Sequence, residues 1–453
     1  MVIKRLIFTK NKMDRIFHFS ESKTDIHTEI IAGITTFLAM AYIIVVNPAV
    51  ISQTGMSFNG VLFATILVSA FSSIAMGFYA NLPYALAPGM GINAFFTYTL
   101  VMIMKIPWQT ALGAVFISGI VFILLSIFKI RIIIVEAIPK SIRNAVACGI
   151  GIFIALIGFR NIHFIVSNPE TLISFGGIDL NIILFIVGLF ITSILVIKKV
   201  KGALILSIIS ISIITLIVSI VGTSLGFLSN PLVKPPAGIF ALPSFDVFLK
   251  LDIIGALKWS MVFPIFSLLF VDLFDSIATF TGVAQVSNLI DKKGIPLNVG
   301  RALLIDATST TISGLFGTSS GTVYIESAAG IKEGGRTGLT AIVAGFLFLP
   351  FMFLSPLISF IPPVATAPVL VIVGVFMMKP VIEIDWGNME EAIPAFTSLI
   401  LVPLTYSITQ GVIWGFLTYT VIKLLMRKAK EIHWMLYVID IFSIAALIRS
   451  FTS

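Results

Sequence analysis

Four carboxylates lie where an apolar chain should have none. Asp272 and Asp275, in Phe270-Val-Asp-Leu-Phe-Asp-Ser276, are three residues apart and so share one helical face. Asp306 interrupts a later apolar run, and Glu326 follows the small-residue stretch Phe316-Gly-Thr-Ser-Ser-Gly-Thr-Val-Tyr-Ile325. A carboxylate at the centre of a membrane helix costs roughly 2.5–3.5 kcal/mol on insertion scales, so each needs a reason. No basic residue falls at comparable depth in the sequence, and burial then penalises the charged form. That suits a site which takes up and releases protons. Such an acid can also do no more than bond a nearby backbone or hydroxyl group. This structural reading is favoured for Asp306, beside Thr308, Ser309, Thr310 and Thr311. It stands level with the functional one for Asp275, and the functional one leads for Asp272 and Glu326.

Acids and amides without an opposing cation suit a neutral ligand that offers several N–H donors. A carboxylate accepts two adjacent N–H bonds, and Asn93 can both donate and accept along one edge of a heterocycle. Ala87, Gly89, Gly91 and Gly321 would leave room for a flat ring. This is consistent with a nucleobase without singling one out. An inorganic-anion carrier should instead place Arg or Lys here. His18, His27, His163 and His433 fall at or beyond the ends of apolar runs. No zinc spacing, Walker A loop, nucleophile elbow or dinucleotide fingerprint occurs, so an enzyme, a metal site and a cofactor are all unsupported.

These residues must be held by unusual elements. Leu86-Ala-Pro-Gly-Met-Gly-Ile-Asn93 and the stretch before Glu326 are too small and too polar for lipid-facing helix, and one sits in each half of the chain. Irregular backbone at membrane depth survives only where protein buries it or it lines a cavity. Paired interruptions point to the substrate site of a transporter built from two repeats. The composition agrees: 58% of the 453 residues are hydrophobic and 11% charged, against roughly 25% charged in soluble domains. The net charge of +8 comes from short inter-helix segments, which argues against nucleic acid as a partner.

Apolar spans of about twenty residues fall near 30–50, 60–79, 88–104, 109–128, 139–159, 182–197 and 203–222. A second set falls near 259–281, 300–317, 321–332, 337–356, 362–379, 390–407 and 409–427. The expected fold is therefore an all-α polytopic membrane protein of fourteen spans, with spans 3 and 10 interrupted. Lys129, Arg131, Lys140, Arg143, Lys198, Lys199, Lys201, Lys292, Lys293, Arg301, Lys332, Arg336, Lys423, Arg427, Lys428 and Lys430 then share one side. Both termini are expected in the cytoplasm by the positive-inside bias. Residues 1–29 read as a cytoplasmic amphipathic N-terminus rather than a signal peptide. Residues 30–222 and 259–430 form two seven-span repeats, 223–258 is an external connector, and 431–453 reads as a C-terminal interfacial helix. Ile138-Pro139 leads to Gly151-Ile-Phe153 as Ile361-Pro362 leads to Gly374-Val-Phe376, at the same internal distance. Gly77-Phe-Tyr-Ala80 likewise precedes the first break as Gly314-Leu-Phe-Gly317 precedes the second. Seven is odd, so the second repeat enters from the opposite face and the pair is inverted.

At these residues the chain strongly resembles the nucleobase–cation symporter family, in its adenine/guanine/hypoxanthine permease branch. Gly33-Ile-Thr-Thr-Phe-Leu-Ala-Met-Ala-Tyr-Ile43, Ala87-Pro-Gly-Met-Gly-Ile-Asn-Ala-Phe95, Phe270-Val-Asp-Leu-Phe-Asp275, Glu326-Ser-Ala-Ala-Gly330 and Gly334-Gly-Arg-Thr-Gly338 carry the resemblance. It implies a core of spans 1–4 and 8–11 and a gate of spans 5–7 and 12–14. It implies uptake of purine bases across the cell membrane, coupled to a cation, with H⁺ preferred to Na⁺. The family's substrate contacts map onto Asn93, Asp272 and Glu326, with Tyr324 where related pyrimidine carriers place a residue beside the base. Glu326, Asp272 and Asp275 are the proton-coupling candidates. Ser319-Ser-Gly-Thr322 departs from the Thr-rich sequence common before that Tyr. The alternative is a carrier of another nucleobase or small solute with the same fold, with sodium coupling left open. A homodimer is compatible with either reading.

Overall fold

The computed structural model describes residues 13–128, 134, 137–233, 235–236, 238–287 and 298–452. Lys129, Arg131, Lys292, Lys293 and the first twelve residues of the amphipathic N-terminus lie outside the described residues. Helices α1 (Ile26–Met40), α2 (Ile43–Ile51) and α3 (Phe58–Ala75) lead into strand β1 (Leu86–Pro88) and the short helix α4 (Met90–Ala94). Wide π-type turns carry α4 on through Phe95–Ile103. Helices α5 (Trp108–Ile127) and α6 (Lys140–Asn161) follow, then a hairpin of β2 (Ile165–Asn168) and β3 (Leu172–Phe175). Next come α7 (Leu180–Ile197), α8 (Ala203–Ser224) and the single turn α9 (Ile253–Ala256).

The second half runs α10 (Val262–Ser287), α11 (Val299–Phe316), β4 (Gly321–Val323), α12 (Ser327–Lys332), α13 (Gly338–Phe348) and α14 (Ser355–Ser359). It ends with α15 (Pro363–Met377), α16 (Met389–Leu404), α17 (Ile408–Leu425) and α18 (Trp434–Thr452). Among the described residues nine helices are long and apolar enough to cross a bilayer, and Met90–Ile103, Gly338–Phe353 and Trp434–Ala445 are shorter apolar helices. The protein is a multi-pass membrane protein. The count of fourteen spans rests on the sequence, since length and apolarity alone pick out these nine.

Helix ends follow from local chemistry. Asp25, Asp179, Asn388 and Ser407 each accept from a backbone N–H in the first turn of α1, α7, α16 and α17, replacing a partner that the helix itself cannot supply. Gly317, at φ +96°, ends α11 in a conformation that few side chains tolerate.

The helices sort into two bodies. Extensive packing joins α6 to α15 and α16, and α16 to α17, on one side; it joins α5 to α11, and α13 to α1 and α3, on the other. The inverted repeat is visible in the glycines matched by sequence. A Cβ on Gly151 would lie 2.8 Å from the Gly374 carbonyl oxygen, and one on Gly374 would lie 2.5 Å from that of Gly151. Helices α6 and α15 thus meet backbone to backbone at equivalent positions. Gly77 packs against Gly338 at the start of α13, and Gly314 packs against Leu112 and Phe116 of α5, the pairing that the same symmetry requires.

The connector after α8 does not float. The amides of Ala241, Leu249 and Asp252 donate to the carbonyls of Phe353, Leu315 and Gln109 at 2.9, 2.8 and 2.9 Å. Val247 packs on Gly60 and Gly317. At the C-terminus, α18 buries Asp440, which accepts from Thr420 Oγ1 at 2.5 Å. Phe442 stacks on Phe266 of α10 with ring centres 5.5 Å apart.

Candidate functional site

The two interruptions cross. β1 and β4 pair antiparallel, with Leu86 opposite Val323, Ala87 opposite Thr322 and Pro88 opposite Gly321. Gly89 N–H donates to Ser320 O at 2.9 Å, and Tyr324 N–H donates to Ala85 O at 3.0 Å. Every residue of both strands is buried. An unpaired amide in an apolar interior costs several kcal/mol, so each broken segment supplies the partners that the other lacks. Pro88 has no N–H to contribute, and Gly89 takes over the donation to the facing strand.

Around this crossing lie Asn93, Tyr324, Glu326 and Asp275, with Asp272 joined to it through Ser276 and Thr322. Asn93 lies in α4, one turn past β1. It is buried and accepts a hydrogen bond at Oδ1 from Ser319 Oγ. Tyr324 follows β4, and its hydroxyl donates to Pro88 O at 2.5 Å, closing the crossing from the other side. Glu326, half-buried, accepts from Tyr42 Oη at 2.8 Å. Asp275 Oδ2 lies 2.9 Å from where a Cβ on Gly89 would stand, so that glycine lets the backbone pass beneath the carboxylate. Asp272 is buried and accepts from Thr310 Oγ1 at 2.7 Å and from Ser276 Oγ at 3.4 Å.

The structure refines two expectations. Asp306 does bond a hydroxyl, as the structural reading expects, but one that lies on another helix. Thr308 and Thr311 bond back to Leu304 O and Ala307 O, while Thr310 turns to Asp272. Asp306 instead accepts from Ser276 Oγ at 2.7 Å, which joins it to the network of Asp272. The glycines do not open a slot. A Cβ on Gly91 would lie 2.7 Å from Ile150 Cγ2, and one on Gly321 would collide with Ser309 Oγ. Both let neighbouring elements close in.

Sequence reasoning assigned no role to Tyr42, Ser276, Ser319 or Thr322. Ser276 follows Asp272 by one helical turn, and that spacing was the available signal. Nothing in the apolar run around Tyr42 distinguished it. Asn47 extends the same polar lining, its Nδ2 donating to Thr65 Oγ1 at 2.7 Å and to Thr318 Oγ1 at 2.9 Å.

Two inverted repeats divided into a core and a gate, with paired broken segments meeting inside, define a membrane transporter. The same fold occurs in the transmembrane domain of the cyanobacterial bicarbonate transporter BicA, at TM-score 0.62 and 16% identity over 86% of this chain and 97% of that one. SLC26A9 shares it at TM-score 0.59 and 11% identity, over 92% and 70%. Residues 27–413 match the Permease family, and the chain belongs to it. It is 39% identical to adenine permease AdeP of Escherichia coli over 93% of this chain and 92% of that protein. It is 40% identical to guanine/hypoxanthine permease PbuO of Bacillus subtilis, over 92% and 96%. The protein is a permease and not an enzyme.

Proposed function

We propose that this permease imports purine nucleobases through the cell membrane by proton symport, with both termini in the cytoplasm. The observation that carries the reading is the gathering of Asn93, Asp272, Tyr324 and Glu326 around one buried strand crossing, in a chain whose relatives carry the names of adenine and guanine/hypoxanthine permeases. Acids and an amide suit the N–H groups and ring nitrogens of a purine. BicA carries the name of a bicarbonate transporter; in this chain carboxylates, not bases, flank the strand crossing.

The mechanism follows from the burial. Glu326 and Asp275 are half-buried, whereas Asn93 and Asp272 are sealed. A base enters when the core shifts against the gate, displacing Ser319 from Asn93 and Tyr42 from Glu326. Several acids within one low-dielectric site oppose one another's ionisation. A proton arriving with the base lowers that repulsion and lets the loaded core move. Glu326, Asp272 and Asp275 are the groups assigned to carry it. The imported charge lets the membrane potential drive accumulation, at about 2.3 kcal/mol per charge per 100 mV.

Labelled adenine, guanine, hypoxanthine, xanthine and uracil offered to transport-deficient cells test this directly. Purine uptake should rise at acidic external pH and collapse with a protonophore in sodium-free medium. Uptake that survives the protonophore but needs sodium would replace the cation and keep the site. Uptake of uracil alone would replace the substrate.

A further inference from the structure

We propose that Ser276 is the bridge through which Asp272 and Asp306 share one proton. The proposal rests on the proton-symport reading above and assigns a proton-relay residue that the reading does not need.

Ser276 Oγ is buried and lies among three oxygens. They are Asp306 Oδ2 at 2.7 Å, Thr322 Oγ1 at 3.1 Å and Asp272 Oδ1 at 3.4 Å. A hydroxyl has one hydrogen and two lone pairs, and an ionised carboxylate only accepts. Ser276 therefore cannot serve both acids at full strength, and the distances show the hydrogen committed to Asp306. Asp272 leans on Thr310 through its other oxygen.

A proton placed on Asp272 Oδ1 changes this arrangement. Asp272 becomes a donor to a lone pair of Ser276, completing the chain Asp272 O–H to Ser276 O–H to Asp306. One concerted shift then breaks the Asp272 Oδ1–H bond and forms a new Ser276 Oγ–H bond. It also breaks the old Ser276 Oγ–H bond and forms Asp306 Oδ2–H. One proton leaves α10 for α11, and the hydroxyl is intact but now points at Asp272, so it must turn back to Asp306 before the next transfer. Among the described residues, the other titratable groups about this chain are Asp275 on α10, Glu326 and Tyr324 after β4, and Tyr42 of the segment joining α1 to α2. Thr322, the third partner of Ser276, pairs with Ala87 across the strand crossing. The state of the bridge is thereby felt where Asn93 and Glu326 are held.

The test uses the full chain in liposomes. Net uptake of labelled adenine driven by an imposed pH gradient is compared with adenine-for-adenine exchange at equal pH on both sides. In Ser276→Ala the ratio of driven uptake to exchange should fall roughly ten- to a hundredfold, the weight of a hydrogen bond to a charged group. Ser276→Thr, which keeps a hydroxyl, should restore it. Should the Ala variant fail to fold, Ser276→Cys, a weak donor of similar size, should give an intermediate ratio. A ratio equal to that of the unmodified protein in the Ala or the Cys variant, or a Thr variant that fails to restore it, overturns the proposal, because a merely structural serine would lower both activities together. If the unmodified protein shows neither activity, the purine reading fails, and the bridge falls with it.

Discussion

Glu29 and Glu326 are both carboxylates held near the ends of the same few helices, yet their surroundings are opposites. Glu29, in the first turn of α1, is fully buried. It accepts from the amides of Arg336, Thr337 and Thr340 at 2.8, 3.1 and 3.2 Å, and from Thr340 Oγ1 at 2.5 Å. It thus caps the start of α13 from a neighbouring helix, placing negative charge where the helix dipole favours it. Glu326 is half-buried, with the Tyr42 hydroxyl at 2.8 Å. A carboxylate offers about four acceptor sites. An acid whose sites are filled by fixed backbone has no capacity for a ligand and reads as a fastener. One that keeps capacity and accessible surface reads as a binding group. By this measure the acceptor sites of Glu29 are filled and those of Glu326 are not, which makes Glu326 the candidate for a ligand and Glu29 a fastener.

The largest effect expected from this comparison is at Glu326. Glu326→Gln should abolish purine uptake, while thermal unfolding in detergent stays close to that of the unmodified protein. A melting temperature that drops as far as for a Glu29 variant would erase the distinction. Next comes Glu29→Ala, which leaves the buried amides of Thr337 and Thr340, and the half-buried one of Arg336, without their acceptor, at about 1–3 kcal/mol for each buried amide. It should sharply reduce folded yield and melting temperature, yet the protein that does fold should bind adenine with unchanged affinity by isothermal titration. A selective loss of affinity with normal stability would move Glu29 into the site. The smallest of the three is Asn93→Ala, which removes an acceptor and a donor worth roughly 1–3 kcal/mol if they grip one base edge. Its dissociation constant should rise for every purine sharing that edge, with stability nearly unchanged. A folded variant whose affinity for every purine is unchanged would remove Asn93 from the binding surface.

Much of this was legible in the sequence. The two small-residue interruptions stood out because lipid-facing helix has no use for them, and the glycines of Gly151-Ile-Phe153 and Gly374-Val-Phe376 turned out to touch. The unexpected acids were visible for the same reason, that charge in an apolar run is costly. What could not be read was pairing between distant segments. Asp306 was matched to the hydroxyls nearest in sequence, whereas its partner Ser276 lies on another helix. Glu29 was unremarked because it sits among other polar residues at the start of a span, where an acid costs nothing until α13 is brought against it. The glycines of the breaks were read as space because a glycine in sequence carries no sign of what faces it.

The strand crossing also bears on how the chain is made. Tyr324 lies 236 residues from Pro88, whose carbonyl it holds, and the ladder partners of Leu86–Pro88 are as distant. Synthesis at about 5–20 residues per second leaves the first broken segment without them for roughly 10–50 s. Throughout that interval exposed amides face either lipid, at high cost, or a protected polar setting. The first half of the protein should thus stay with the insertion machinery until the second half arrives. Coexpressed halves, split within the connector, should show whether the first can wait: it should be degraded when made alone and rescued when its partner is supplied.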